Sequence, residues 1–149
     1  MPEQKHLMRG PMPREHMTAN QRAYMDYQNA LLADDRAAAL RKALTPGFIA
    51  HDLPERQNDL AGIIAFRERV QKMLPDQEGT VRVMLEVGDQ IAGYVTATQT
   101  DPTTGQPFSI GLIDMSRVED GKVAERWVAF DDPEGKLEEV KRKLTQGQA

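Results

Sequence analysis

Two hydrophobic rhythms divide the chain near residue 79. Before it, apolar side chains recur every three or four positions; after it, they alternate. In the first part, Thr18 with Gln21 three residues on forms a capping box. Tyr24, Tyr27, Leu31 and Leu32 then follow at helical spacing, so a helix is predicted over 18–33. Asp34 or Asp35 caps a second helix whose stripe is Leu40, Ala43 and Leu44, and Pro46 and Gly47 end it. "FIAH", 48–51, reads as a short strand. Asn58 then caps a third helix with Leu60, Ile63, Ile64, Val70 and Leu74 on one face, and Pro75 stops it.

The second part is a run of strands. "TVRVMLEV" alternates, with Val81, Val83, Leu85 and Val87 on one side. "GD" at 88–89 turns the chain into "QIAGYVTATQT", and the loop "DPTTGQP" leads to "FSIGLIDMSRV". "EDGK" is a second tight turn, with Gly121 suited to positive φ, before "VAERWVAFDD". A short amphipathic helix, "PEGKLEEVKRKL", closes the pattern, with Pro133 near its start and Asp132 as its cap. Helices segregated from a four-stranded antiparallel meander make this an α+β fold. In "VAERWVAF" one side carries Val123, Trp127 and Ala129, the other Ala124, Val128 and Phe130. A sheet solvated on one face would alternate more cleanly. The helices are expected to cover one side and a second subunit the other, giving a homodimer.

Composition narrows the function classes. The 149 residues suffice for one domain with a real core, and 40% hydrophobic with 28% charged residues is an ordinary globular balance. A net charge of -4 with the signs interspersed argues against nucleic acid as a partner, because phosphate binding needs a clustered basic surface. With no cysteine there is no disulfide, thiolate nucleophile or thiolate metal site, which fits a cytoplasmic protein. No apolar run approaches the ~20 residues of a membrane span. Residues 1–17, with three prolines, a glycine and many charges, read as an extended or disordered arm, with Leu7, Met8 and Met12 free to pack on a partner; 18–149 is then the domain.

The ordered set "GD" before a strand, "IDMSR", "DGKVAE", and Trp127 with Asp131 four residues later resembles the SnoaL-like polyketide cyclase group of the nuclear-transport-factor-2-like superfamily. "FIAHD" is similar to that group's short early strand, and the likeness covers about 18–140. It implies a cone: three N-terminal helices packed on a strongly curved antiparallel sheet, enclosing a cavity. It also implies a hydrophobic, oxygenated small molecule as ligand, closed by an aldol-type cyclisation with a pocket carboxylate as acid/base. The same cone supports isomerases, epoxide hydrolases and binding proteins without chemistry, and fold alone does not choose among them.

Site candidates follow from strand alternation and from that resemblance. Asp131 shares a face with Trp127; if Trp127 lines the cavity, Asp131 does too, and desolvation would raise its pKa toward the range a general acid/base needs. By family position His51 is the assisting polar group, while Asp52 points the other way and binds turn amides before Pro54. Trp127, Tyr24, Arg117 and Asp114 are the ligand-binding candidates, although Arg117 and Asp114 take opposite faces and Arg117 can pair with Glu125 across strands. His6, His16 and His51 are scattered, with no metal spacing and no phosphate-binding glycine loop or nucleophile elbow, so cofactor-free chemistry is expected.

Overall fold

A computed structural model describes residues 8–146. Helix α1, Ala19–Ala30, starts at the capping box: the Thr18 side chain accepts from the Gln21 amide and the Gln21 side chain from the Thr18 amide. Helix α2, Arg36–Ala43, is capped by Asp35, whose Oδ1 accepts from the Ala38 amide at 3.0 Å. Strand β2, Leu44–Ala50, follows at once and therefore contains Pro46 and Gly47, which had been expected to lie between helix and strand. The proline is tolerated because β2 is an edge strand, bonded only to β6, Lys122–Asp131. Helix α3, Leu60–Met73, is capped by Asp59 rather than Asn58, with the Gly62 amide 2.8 Å from its carboxylate. A single 3-10 turn at 55–57 takes up the intervening residues.

The sheet has six strands in the order β1-β3-β4-β5-β6-β2 and is curled but unclosed. Its centre is the predicted meander: β3 Glu78–Val87, β4 Gln90–Thr100, β5 Pro107–Glu119 and β6. Asp120 and Gly121 both have positive φ (52° and 77°), the backbone that suits a two-residue hairpin turn. Strand β1, Met8–Arg9, pairs in parallel with β3, Met8 opposite Gly79. The described part of the arm, residues 8–17, thus folds onto its own chain: Met8 and Met17 are buried and Met12 packs against the same cluster. Leu7 lies outside the described residues.

A register shift between Val81 and Val83 changes the predicted face of β3. The extra residue leaves Val81 and Met84 buried and sends Val83, Leu85 and Val87 to the outside. The inner face then carries the rows Val81–Val95–Leu112–Phe130 and Met84–Gly93–Asp114–Val128. The outer face carries Val83–Tyr94–Ile113–Ala129 and Leu85–Ala92–Met115–Trp127.

Two clusters close the fold beneath the helices. One joins α1 to β3–β5; the other joins α1, α2 and α3 to β2, with Leu40, Phe48 and Ile63 at its centre. Burial of each such side chain stabilises by about 1.5–3 kcal/mol. Helix α4, Lys136–Gln146, lies against the far end of α3 through Val140, Val70 and Leu74. It starts three residues after Pro133, yet Asp132 still caps it, accepting from the amides of Leu137 (2.9 Å) and Glu138 (3.2 Å). Asp101 ties it down, with the ammonium groups of Lys136 and Lys143 at 3.5 and 3.8 Å. Among the described residues, no helix is long and apolar enough to cross a membrane.

Candidate functional site

Between the clusters the inner face, α1, α3 and α4 leave a cavity of about 90 Å³. Its walls are mostly apolar: Leu31, Leu32, Phe66, Val70, Leu112 and Val128 are typical. The exposed members of the lining, Glu78 and Phe130, mark its mouth. Seven polar side chains line it: Gln28, Arg67, Gln77, Asp114 and Arg126 in the wall, with Glu78 and Lys141.

Asp114 is buried at the middle of β5. Its Oδ2 accepts from the Tyr27 hydroxyl and from Gln28 Nε2, both at 3.0 Å, and its Oδ1 accepts from Ser116 Oγ at 2.9 Å. Helix α1 supplies Tyr27 and Gln28 from one turn. Tyr24, one turn earlier, reaches across β4 at Gly93 and donates to the Asp114 carbonyl at 3.2 Å. That crossing requires Gly93, since a Cβ there would collide with the Tyr24 hydroxyl. Arg126, two strand positions before Val128, donates to both Asp52 oxygens (2.9 and 2.7 Å) and to the Tyr27 hydroxyl at 2.9 Å. Asp52, Arg126, Tyr27 and Asp114 therefore form one continuous chain of hydrogen bonds.

The electrostatics of this chain come from desolvation. Burial pushes the Asp114 carboxyl above the ordinary carboxylate range, against the opposing pull of Arg126 and the bonds from Ser116, Tyr27 and Gln28. Burial likewise pushes the Tyr27 phenol up, so Tyr27 is a neutral donor at physiological pH. Burial works against the charge of Arg126, but Tyr27, Asp52 and Asp114 outweigh it and its pKa is raised. The result is a guanidinium held by hydrogen bonds near a buried carboxyl whose pKa is raised.

The structure separates the six candidate residues. Asp114 lines the cavity. Tyr24 is buried beside it but does not line it, its hydroxyl being spent on the Asp114 carbonyl. Trp127 and Asp131 are on the outer face, and Asp131 is exposed, opposite Gly111. The expected phase of β6 is thus corrected: Arg126, Val128 and Phe130 turn inward, because Arg126 lies beside Ala50 of β2 and carries the bond to Asp52. His51 lies past the end of β2, where its amide donates to the Arg126 carbonyl and its ring stacks on Trp127, with centroids 4.7 Å apart and planes 6° from parallel. Its Nε2 lies 2.7 Å from Glu125, which also receives Arg117 Nε at 2.7 Å, the predicted cross-strand pair. His51 and Asp131 are not brought together at the cavity. Asp52, expected to bind turn amides, is instead the counter-ion of Arg126.

Arg126, Arg67, Gln28 and Ser116 did not stand out in the sequence. One sign was available: Arg126 is the charged residue in an otherwise apolar inward register with Ala124, Val128 and Phe130, and a buried cation needs a buried partner. Among the described residues no group of histidine and acidic side chains could hold a metal ion.

Comparisons with known proteins agree with this geometry. A candidate polyketide cyclase from Bacillus cereus ATCC 10987 superposes with a TM-score of 0.69 at 20% identity, covering 97% of this chain and 93% of that one. IdmH, a candidate polyketide cyclase from Streptomyces antibioticus, gives 0.67 at 26% identity over 75% of this chain and 91% of its own. A protein with a ketosteroid isomerase-like fold from Catenulispora acidiphila gives 0.63 at 12% identity, covering 73% and 85%. These likenesses establish the cone of the nuclear-transport-factor-2-like superfamily. No curated protein matches the sequence. The SnoaL-like polyketide cyclase model matches residues 21–134, and the chain belongs to that family.

Proposed function

We propose that the protein binds a small, largely apolar, oxygenated molecule in its cone and acts on it by cofactor-free acid/base chemistry, an aldol-type ring closure, with Asp114 as the acid/base. The observation that carries this reading is a carboxyl with a raised pKa in the wall of an apolar cavity. Three of its roughly four lone-pair sites are occupied, and Oδ1 keeps one free for substrate. As carboxylate it takes a proton from the carbon beside a substrate carbonyl. The enolate attacks a second carbonyl of the same molecule, and the resulting alkoxide takes a proton back. Tyr27 and Arg126 hold Asp114 in place and set its charge. A ligand of several rings exceeds the enclosed 90 Å³ and extends through the mouth past Phe130. His51 and Asp131, on the other side of the sheet, take no part.

The test is turnover of a poly-β-carbonyl substrate by Asp114→Asn. Loss of roughly 10²–10⁴-fold, the usual worth of a positioned acid/base, is expected. Activity within a few-fold of the native level contradicts it. A second reading, binding without chemistry, draws on the same three hydrogen bonds, which would serve a purely structural carboxylate equally well; a ligand recovered unchanged from the native protein across a broad panel would favour it.

We also propose that the outer face pairs with a second copy of the chain. Leu85 (63% exposed), Ile113 (55%) and Val87 (77%) stand with Val83, Tyr94 and Trp127 in one apolar patch across four strands. This is the side opposite to Val128 and Phe130, which line the cavity. Light scattering at micromolar concentration is expected to give twice the 16.7 kDa chain mass, and the chain mass itself would contradict the proposal.

A further inference from the structure

The arginines at the cavity are unequally paired. Arg36 and Arg126 both bear on Arg67; the carboxylates around these three guanidinium groups are Asp52 and Asp114, and the exposed Asp34 beside Arg36. Arg126 is neutralised by its two-pronged pair with Asp52 and lies next to Asp114. Arg67, on α3 and in the cavity wall, has no such partner. Its Nη2 donates to the Leu31 carbonyl at 2.9 Å and to Gln77 Oε1 at 3.0 Å, both neutral oxygens. Neither bond uses Nη1 or Nε, and Nε is buried without a hydrogen-bond partner. Among the described residues no carboxylate lies within ion-pairing distance of it. Arg36, which has the Asp34 carboxylate nearby, donates to the Arg67 carbonyl at 2.9 Å, and its own Nε is also buried and unpartnered. At the mouth Lys141 lies 3.7 Å from Glu138 and over the Phe130 ring.

A buried guanidinium nitrogen with no hydrogen-bond partner is costly, because nothing replaces the water bond it gave up. Burial, with Arg36 and Arg126 nearby, lowers the Arg67 pKa to about 9, so it is still charged at neutral pH. Gln77 fixes the side chain in turn: its Nε2 donates to Gln99 at 3.2 Å, and Gln99 donates to the Phe108 carbonyl at 3.1 Å. A preorganised planar fork of donors matches a carboxylate better than any neutral oxygen.

We infer that Arg67 is the anion-recognising residue of the cavity and that its ligand is an acid, entering with a carboxylate group directed at Arg67 and its apolar body against Phe66, Val70 and Leu112. The inference rests on the proposal that the cone takes a small molecule, and it narrows that molecule to a class. It is independent of whether Asp114 performs chemistry.

Titration calorimetry with benzoate and its neutral isostere benzamide, at pH 7, tests it. The native protein is expected to bind benzoate at least tenfold more tightly. In Arg67→Gln the ratio falls below about twofold, Arg67→Lys keeps part of it, and Asp114→Asn leaves a preference of at least tenfold. Equal affinities in the native protein, a preference that survives Arg67→Gln, or no binding of either compound would overturn the inference. In the native protein, benzoate and not benzamide is expected to shift the Arg67 Nε–H resonance. That readout does not depend on the folding of any variant, and an unmoved resonance overturns the inference equally. Full turnover by Asp114→Asn beside an intact carboxylate preference would remove the acid/base reading and leave this one standing.

Discussion

The two faces of the sheet carry nearly the same set of side chains and use them in opposite ways. Inside, Arg126 bridges Asp52 and Tyr27, and Tyr27 reaches Asp114. Outside, a single strand position away, Glu125 receives both His51 and Arg117, and His51 stacks on Trp127. Each set has a carboxylate, an arginine and an aromatic ring. Burial is the difference. On the inner face it lifts the Asp114 carboxyl above the ordinary range, whereas on the partly solvated outer face His51 and Arg117 hold Glu125 below it. Residue types at the right spacing are therefore not enough to mark a site, and the face they land on decides in which direction their pKa moves.

The largest effect that would break this contrast is expected from Arg126→Met. It leaves Asp52 and Asp114 without their cation, and removing one partner of a buried pair costs about 3–5 kcal/mol. Urea unfolding measures it; a loss below 1 kcal/mol would show that the inner chain of bonds does not hold the fold. The outer set should give little by comparison. Asp131→Asn and His51→Ala are expected to change stability by less than about 0.5 kcal/mol each, as exposed substitutions do, and to leave turnover within twofold. A hundredfold loss of turnover in Asp131→Asn would return the chemistry to the outer face.

Much of the architecture was legible in the sequence. The capping box at Thr18, the Asp35 cap, the meander with its two tight turns and the pairing of Arg117 with Glu125 all follow from short-range patterns, and short-range patterns set them in the structure. The phase of β6 was not legible. Both of its faces are apolar, so a period of two yields two equivalent solutions, and the preference for Trp127 as a cavity wall chose the wrong one. The deciding contacts are long-range: Ala50 beside Arg126, and Asp52 74 residues away from it in sequence. The register shift in β3 was equally hidden, since "TVRVMLEV" alternates without a break and only pairing with β4 shows the extra residue. Asp114 was named among the candidates, but its setting came from Tyr27 and Gln28, 87 and 86 residues away.

Opposite shifts carry opposite consequences for folding. Asp114 holds its proton to higher pH in the folded chain than in the unfolded one, so its contribution is most favourable below the ordinary carboxylate pKa and is lost as pH rises through its folded value. Glu125, depressed, contributes above the ordinary value and loses that contribution as pH falls. The most direct test of the account is to follow both side-chain carboxyl carbons by NMR through one pH titration of the native protein. The account predicts a midpoint for Asp114 above that of an unperturbed aspartate and one for Glu125 below that of an unperturbed glutamate. An Asp114 midpoint at or below the ordinary value would contradict it, because the cavity would then hold a permanently ionised structural anion in place of an acid/base.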